Sequence, residues 1–107
     1  MQIKIQITAA DIRKALDRHS KGFTLESPLS VALERQGHKG AVHSPSDSYP
    51  AMWAYNAAGT HILKIQLSKR AMLALRMWRK RQISWETTYL VSASVAMEEP
   101  DFPGYEK

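Results

Sequence analysis

Two short stretches, QIKIQI at residues 2–7 and HILKIQL at residues 61–67, alternate apolar and polar side chains. In an extended chain successive side chains point to opposite faces, so this alternation specifies a strand with one dry face and one wet face. In the first stretch Ile3, Ile5 and Ile7 lie opposite Gln2, Lys4 and Gln6. In the second, Leu63, Ile65 and Leu67 lie opposite Ile62, Lys64 and Gln66. Strands of this kind build a sheet that is covered on one side, which is the usual condition of antiparallel sheets.

The covering layer must come from helices, and three segments have the required signals. Thr8 precedes AADIRKALDR, with Asp11 three residues on as in a capping box, and Ile12, Ala15 and Leu16 fall on one stripe. This predicts a helix over residues 9–18. Ser27 followed by Pro28 is an N-cap and first-turn pair, Leu29, Ala32 and Leu33 form a stripe, and Gly37 suits the end of a helix over residues 27–36. Ser68 caps a third helix, expected over residues 68–82. With Leu67 at 0° and 100° per residue, Ala71, Ala74, Leu75 and Trp78 gather on one side.

MWAYN and HILKIQL, separated by AAGT, read as a hairpin, and WETTYLVSASVAM as a last strand. EEPDFPGYEK has two Pro, one Gly and four acids, so residues 98–107 are expected to be a tail. The fold expected is a single small α+β domain over residues 1–97. Its order is β-α-α-β-β-β-α-β, a mainly antiparallel sheet with helices packed on one face. A chain of 107 residues suits one domain, and the absence of Cys removes disulfides and thiolate metal sites. No apolar run is long enough for a membrane helix and the N-terminus is no signal peptide, so the expected location is cytoplasmic.

Charge is unevenly placed. The net charge is +5, yet residues 61–82 carry seven Lys or Arg and no acid, while residues 83–107 carry one Lys and five acids. The basic character therefore belongs to the third helix. Lys69, Arg76 and Lys80 lie opposite its apolar stripe, Arg70 and Arg81 on one flank and Arg79 on the other. Two readings stand: a solvated face with C-terminal cations favoured by the helix dipole, or a surface for nucleic acid or an acidic partner. The candidate binding residues are Lys69, Arg70, Arg76, Arg79, Lys80, Arg81 and Trp85, the last able to stack on a base. Nothing identifies base readout, and helices 9–18 and 27–36 are too far apart for a helix-turn-helix. Met72, Leu73 and Met77 either widen the buried side or form an adaptable patch for a protein. Trp53, Tyr55, Trp78, Trp85 and Tyr89 are expected in the core by their area.

Catalytic signals are weak. His43, Ser44, Ser46 and Asp47 have the residue types of a hydrolytic site but crowd one loop, whereas triads join separated elements. His38 and His43 do not have a zinc-ligand spacing, and the five Gly are scattered singly. The chain is read as non-enzymatic, with no cofactor and no metal.

Met1, Ile3, Ile5, Asp11 and Ile12, then Ser27–Pro28–Leu29–Ser30–Val31–Ala32–Leu33, then Leu63–Lys64–Ile65–Gln66–Leu67, together form a layout. It resembles that of short uncharacterised phage and prophage proteins, which open with M-x-I-x-I-T and a short D-I helix and continue with C-P-V-A-L-A-L. The resemblance covers about two thirds of the chain in patches, at core and cap positions. Ser27 stands where the pattern has Cys. The resemblance implies a phage-type accessory protein and transfers no functional residue. The expected function is binding of nucleic acid or a nucleoprotein through helix 68–82. The alternative is a protein-protein inhibitor of a host enzyme or defence complex, of the anti-CRISPR or anti-restriction type.

Overall fold

In the computed structural model residues 2–23, 26–44, 49–80 and 89–100 are described. The elements run β1 (Gln2–Ile7), α1 (Ala9–Ser20), α2 (Pro28–Arg35), β2 (Val42–His43), β3 (Ala51–Tyr55), β4 (His61–Leu67), α3 (Lys69–Arg79) and β5 (Tyr89–Pro100). This is the expected α+β order. The five strands form one antiparallel sheet in the order β1-β5-β4-β3-β2.

Each chain entry into a helix is chemically marked. The Thr8 hydroxyl accepts from the Asp11 N–H at 3.3 Å, and the Thr8 N–H donates to the Asp11 carboxylate at 2.9 Å. Ser27 and Ser30 make the matching pair at α2, where the Ser27 N–H donates to Ser30 Oγ at 2.7 Å. The Ser68 hydroxyl accepts from the Ala71 N–H at 3.1 Å, so β4 passes into α3 through a single residue. Each such cap offsets the loss of orphan first-turn donors, by about 1 kcal/mol.

The inner face of the sheet carries Ile3, Ile5 and Ile7, Val91 and Ala93, Leu63, Ile65 and Leu67, and Met52 and Ala54, all buried. They join Ile12 and Ala15 of α1, Leu29, Val31, Ala32 and Leu33 of α2, and Ala71, Leu75 and Trp78 of α3 in one core. The register explains the sorting. Residues directly opposite in an antiparallel pair share a face, and Ile3 faces Ala93, Leu67 faces Ala93, and Met52 faces Ile65. α2 is the central helix, buried at every position from Pro28 to Leu33.

Polar side chains stitch the helices to each other and to β1. Arg18 of α1 pairs with Glu26 at 2.6 Å and also with Glu34 of α2. Arg35 donates in a fork to Asp11, Nε to Oδ1 at 3.2 Å and Nη2 to Oδ2 at 3.1 Å, and Nη2 also reaches the Gln6 carbonyl at 2.6 Å. Gln36 accepts from the Gln6 N–H at 3.0 Å and donates to the Lys4 carbonyl at 2.7 Å. Asp11 is buried. Burial by itself pushes its carboxyl up, but hydrogen bonds from Arg35 and Thr8, with the Arg35 charge, outweigh this and hold it below the ordinary aspartate value.

Two sequence expectations are corrected. The last strand does not stop at Met97: Glu98, Glu99 and Pro100 pair with Leu63, Ile62 and His61. Trp53 and Tyr55 are not core residues. They share a face with Lys64 and Ile62, their partners on β4, on the side of the sheet opposite the helices. A strand cannot send Trp53 inward without also turning Met52 and Ala54 outward, and the pairing with Ile65 and Leu63 holds those two in the core.

Candidate nucleic-acid interface

Helix α3 is divided by its own sequence. Ala71, Met72, Ala74, Leu75 and Trp78 are buried, Trp78 to 3% exposure with His19 of α1 edge-on to its ring at 6.2 Å. Lys69, Arg70, Arg76 and Lys80 are exposed on the other side. Leu73 stands among them, 55% exposed, and Met77 is half-buried beside it. The three off-stripe residues therefore divide: Met72 widens the core, Leu73 remains outside, and Met77 straddles the boundary.

None of Lys69, Arg70, Arg76 and Lys80 forms an ion pair among the described residues, where the pairs are those of Arg18, Lys21 and Arg35. Their positions on the helix differ in physical meaning. Arg76 lies in the last turn and Lys80 is the C-cap, where the dipole favours cations. Lys69 and Arg70 open the first turn, which contains no acid. There the dipole opposes them, by about 0.3–1 kcal/mol at an exposed position. Helix stability alone would place Asp or Glu at these two positions.

Arg79 departs from this row. Its Nη2 donates to His43 Nδ1 and to the Ser44 carbonyl, both at 3.1 Å, so it fastens the end of α3 to β2. A guanidinium only donates, so His43 Nδ1 accepts from Arg79 when the imidazole proton sits on Nε2, and donates to the Ser44 carbonyl, also 3.1 Å away, when the proton sits on Nδ1. Burial, the main influence on His43, pushes its pKa down; the Ser44 carbonyl acts the other way and the Arg79 charge adds to the depression. Burial also lowers the Arg79 value. The loop considered for hydrolysis thus contributes a neutral imidazole to a structural bond, while Ser46 and Asp47 lie outside the described residues. So do Arg81, Trp85 and residues 101–107 of the expected tail.

Among the described residues no three His, Asp or Glu side chains gather as a metal would require. No helix among them is long and apolar enough to cross a membrane. A hollow of about 490 Å³ between α1 and α2 is lined by Asp11, Lys14, Glu34, Arg35 and Lys39 among others, and its charges are of both signs. Sequence reasoning missed Arg35 and Gln36 as partners of β1 and Arg79 as partner of β2. A single Arg or Gln at a helix end carries no periodic signal, and these bonds span sequence separations of 29 to 36 residues.

Compared with known protein families, curated proteins and solved structures, the chain matches none. What bears on its function is its own geometry.

Proposed function

We propose that the chain is a non-enzymatic, phage-type accessory protein that binds nucleic acid or a nucleoprotein through the outward face of α3. The observation that carries this reading is the set of four exposed cations, Lys69, Arg70, Arg76 and Lys80, without acidic partners among the described residues. Two of them occupy the helix end that electrostatics disfavours. A row of Lys and Arg on an exposed helix suits phosphates, whose neutralisation releases counterions and makes binding steeply salt-dependent. The layout shared with short phage proteins supports the accessory role.

The test is a binding titration against duplex DNA at several salt concentrations. Replacing Lys69, Arg76 and Lys80 with Gln should keep stability within about 1 kcal/mol, since exposed substitutions cost little. It should weaken binding and flatten the log–log salt slope by about 0.9 for each duplex phosphate no longer neutralised. Wild-type protein that ignores polyanions even at low salt would end this reading.

The exposure of Leu73 in the middle of the row favours a second one. An apolar anchor ringed by charge is the anatomy of a protein-protein contact. The partner would be an acidic face of a host enzyme or defence complex. Leu73→Ala would then abolish that association and leave nucleic-acid binding intact.

A further inference from the structure

The side of the sheet away from the helices is chemically divided. Toward one end it is mainly polar, with Gln2, Lys4, Gln66, Ser92 and Ser94, and Leu90 lies exposed opposite Gln6. Toward the other it is aromatic and apolar. Trp53, Lys64 and Met97 lie in one transverse row, and Tyr55, Ile62 and Glu99 in the next. Tyr49 is exposed and stacks on Trp53, with ring centroids 6.2 Å apart and planes at 28°. Lys64 Nζ stands 5.2 Å from the Tyr49 ring centre. A hollow of about 330 Å³ is lined by Tyr55, Lys39, Gly40, Asn56 and the β3–β4 turn.

We infer that this face is a stacking platform for single-stranded nucleic acid. Three features select that occupant. Flat rings offered at the surface suit bases, each of which has a π-face, and such stacking tolerates any sequence. Lys64 stands in the middle of the aromatic group and Lys39 at its margin, where phosphates linking stacked bases would run. A second copy of the chain is disfavoured by the same lysine, because a two-fold contact would bring Lys64 toward its own counterpart within an apolar patch. Glu99, at the edge of the face, repels a backbone and directs a strand away from that corner toward Lys64 and Lys4. The platform lies across the sheet from α3, so it is a separate surface, and the inference stands whether or not α3 binds anything.

The experiment uses the full chain and a labelled oligothymidylate, with duplex DNA of mixed sequence as the comparison. Trp53→Ala should weaken oligothymidylate binding about tenfold or more, the usual effect of removing one stacking ring. Trp53→Phe should restore most of it, and neither change should alter duplex binding. Tyr49→Ala and Lys64→Gln change side chains outside the core, so the fold survives them, and each should weaken single-strand binding several-fold. The α3 change of Lys69, Arg76 and Lys80 to Gln should leave the Trp53 effect intact, which separates the two surfaces. The inference is overturned if Trp53→Ala, Tyr49→Ala and Lys64→Gln bind oligothymidylate as wild type does, or if wild type binds none at low salt. It is also overturned if sedimentation shows a wild-type dimer that Tyr49→Ala or Trp53→Ala dissociates, which would make the face a contact between copies.

Discussion

The two faces of the sheet are built from the same strands and behave as different materials. On the helix side, branched aliphatics fill the space under α1, α2 and α3 and exclude water. On the other side, the residues one step away along each strand are Gln, Ser, Lys, rings and scattered aliphatics such as Ile62, Leu90 and Met97 that remain partly in water. The lesson is that aromatic bulk does not by itself decide burial. Trp78 and Trp53 are the same residue type. One is sealed between helix and sheet, and the other shares a row with a lysine.

The contrast can be broken most directly at the two tryptophans. Trp78→Ala should cost about 3–5 kcal/mol in denaturant unfolding, a large share of the roughly 5–15 that a domain possesses. Trp53→Ala should cost about 1 kcal/mol, the scale of a partly exposed aromatic pair. Equal losses would mean that the sheet has two cores.

Between those extremes lies the bond from α2 to α1 and β1. Arg35→Ala leaves the buried Asp11 carboxylate short of its forked partner and should cost about 1–3 kcal/mol. The same pair sets an acid limit. Asp11 titrates below its ordinary value in the fold, so its contribution is complete above about pH 4 and is lost as pH falls through the folded value. His43 adds an earlier step. Its folded pKa is also depressed, so the unfolded chain binds the proton more readily, and stability declines as pH falls below about 6.5. Unfolding curves measured across this range should lose the upper step in His43→Gln and the lower step in Asp11→Asn.

The smallest expected effect has the opposite sign. Lys69→Glu places an acid in the first turn of α3 and should stabilise the protein by about 0.3–1 kcal/mol, while weakening any polyanion binding. A change that improves the fold and harms the task would mark Lys69 as retained for the task. Thermal melts and the salt titration measure the two sides.

How far the sequence speaks depends on whether a residue's partner is local. The alternation in β1 and β4 and the caps Thr8, Ser27 and Ser68 were all legible, because each depends on neighbours within four residues. β3 was not. In AMWAY both phases are apolar, so period alone leaves its orientation open, and only the pairing of Trp53 with Lys64 decides it. β5 deceived in another way. Val91, Ala93 and Val95 point inward, and strict alternation would send Met97 after them. A register shift opposite Lys64 and Ile65 leaves Ala96 as an extra residue and turns Met97 outward, to 49% exposure. At the candidate site, the outward cations of α3 followed from the helical period. Arg79 did not, because its inward turn depends on a strand 36 residues away.

The bonds that Arg35 and Gln36 make with β1 also bear on how copies of this chain coexist. Strand rims are templates: their unspent amide groups invite another chain to continue the ladder. Here the β1 rim has three of those groups, the Lys4 and Gln6 carbonyls and the Gln6 amide, already occupied by side chains from α2 and its C-cap. The opposite rim is β2, two residues long. Growth along these two strands is thereby discouraged. β5 differs: past Ser94 it pairs on the β4 side alone among the described residues, so the rim that another chain could extend lies there.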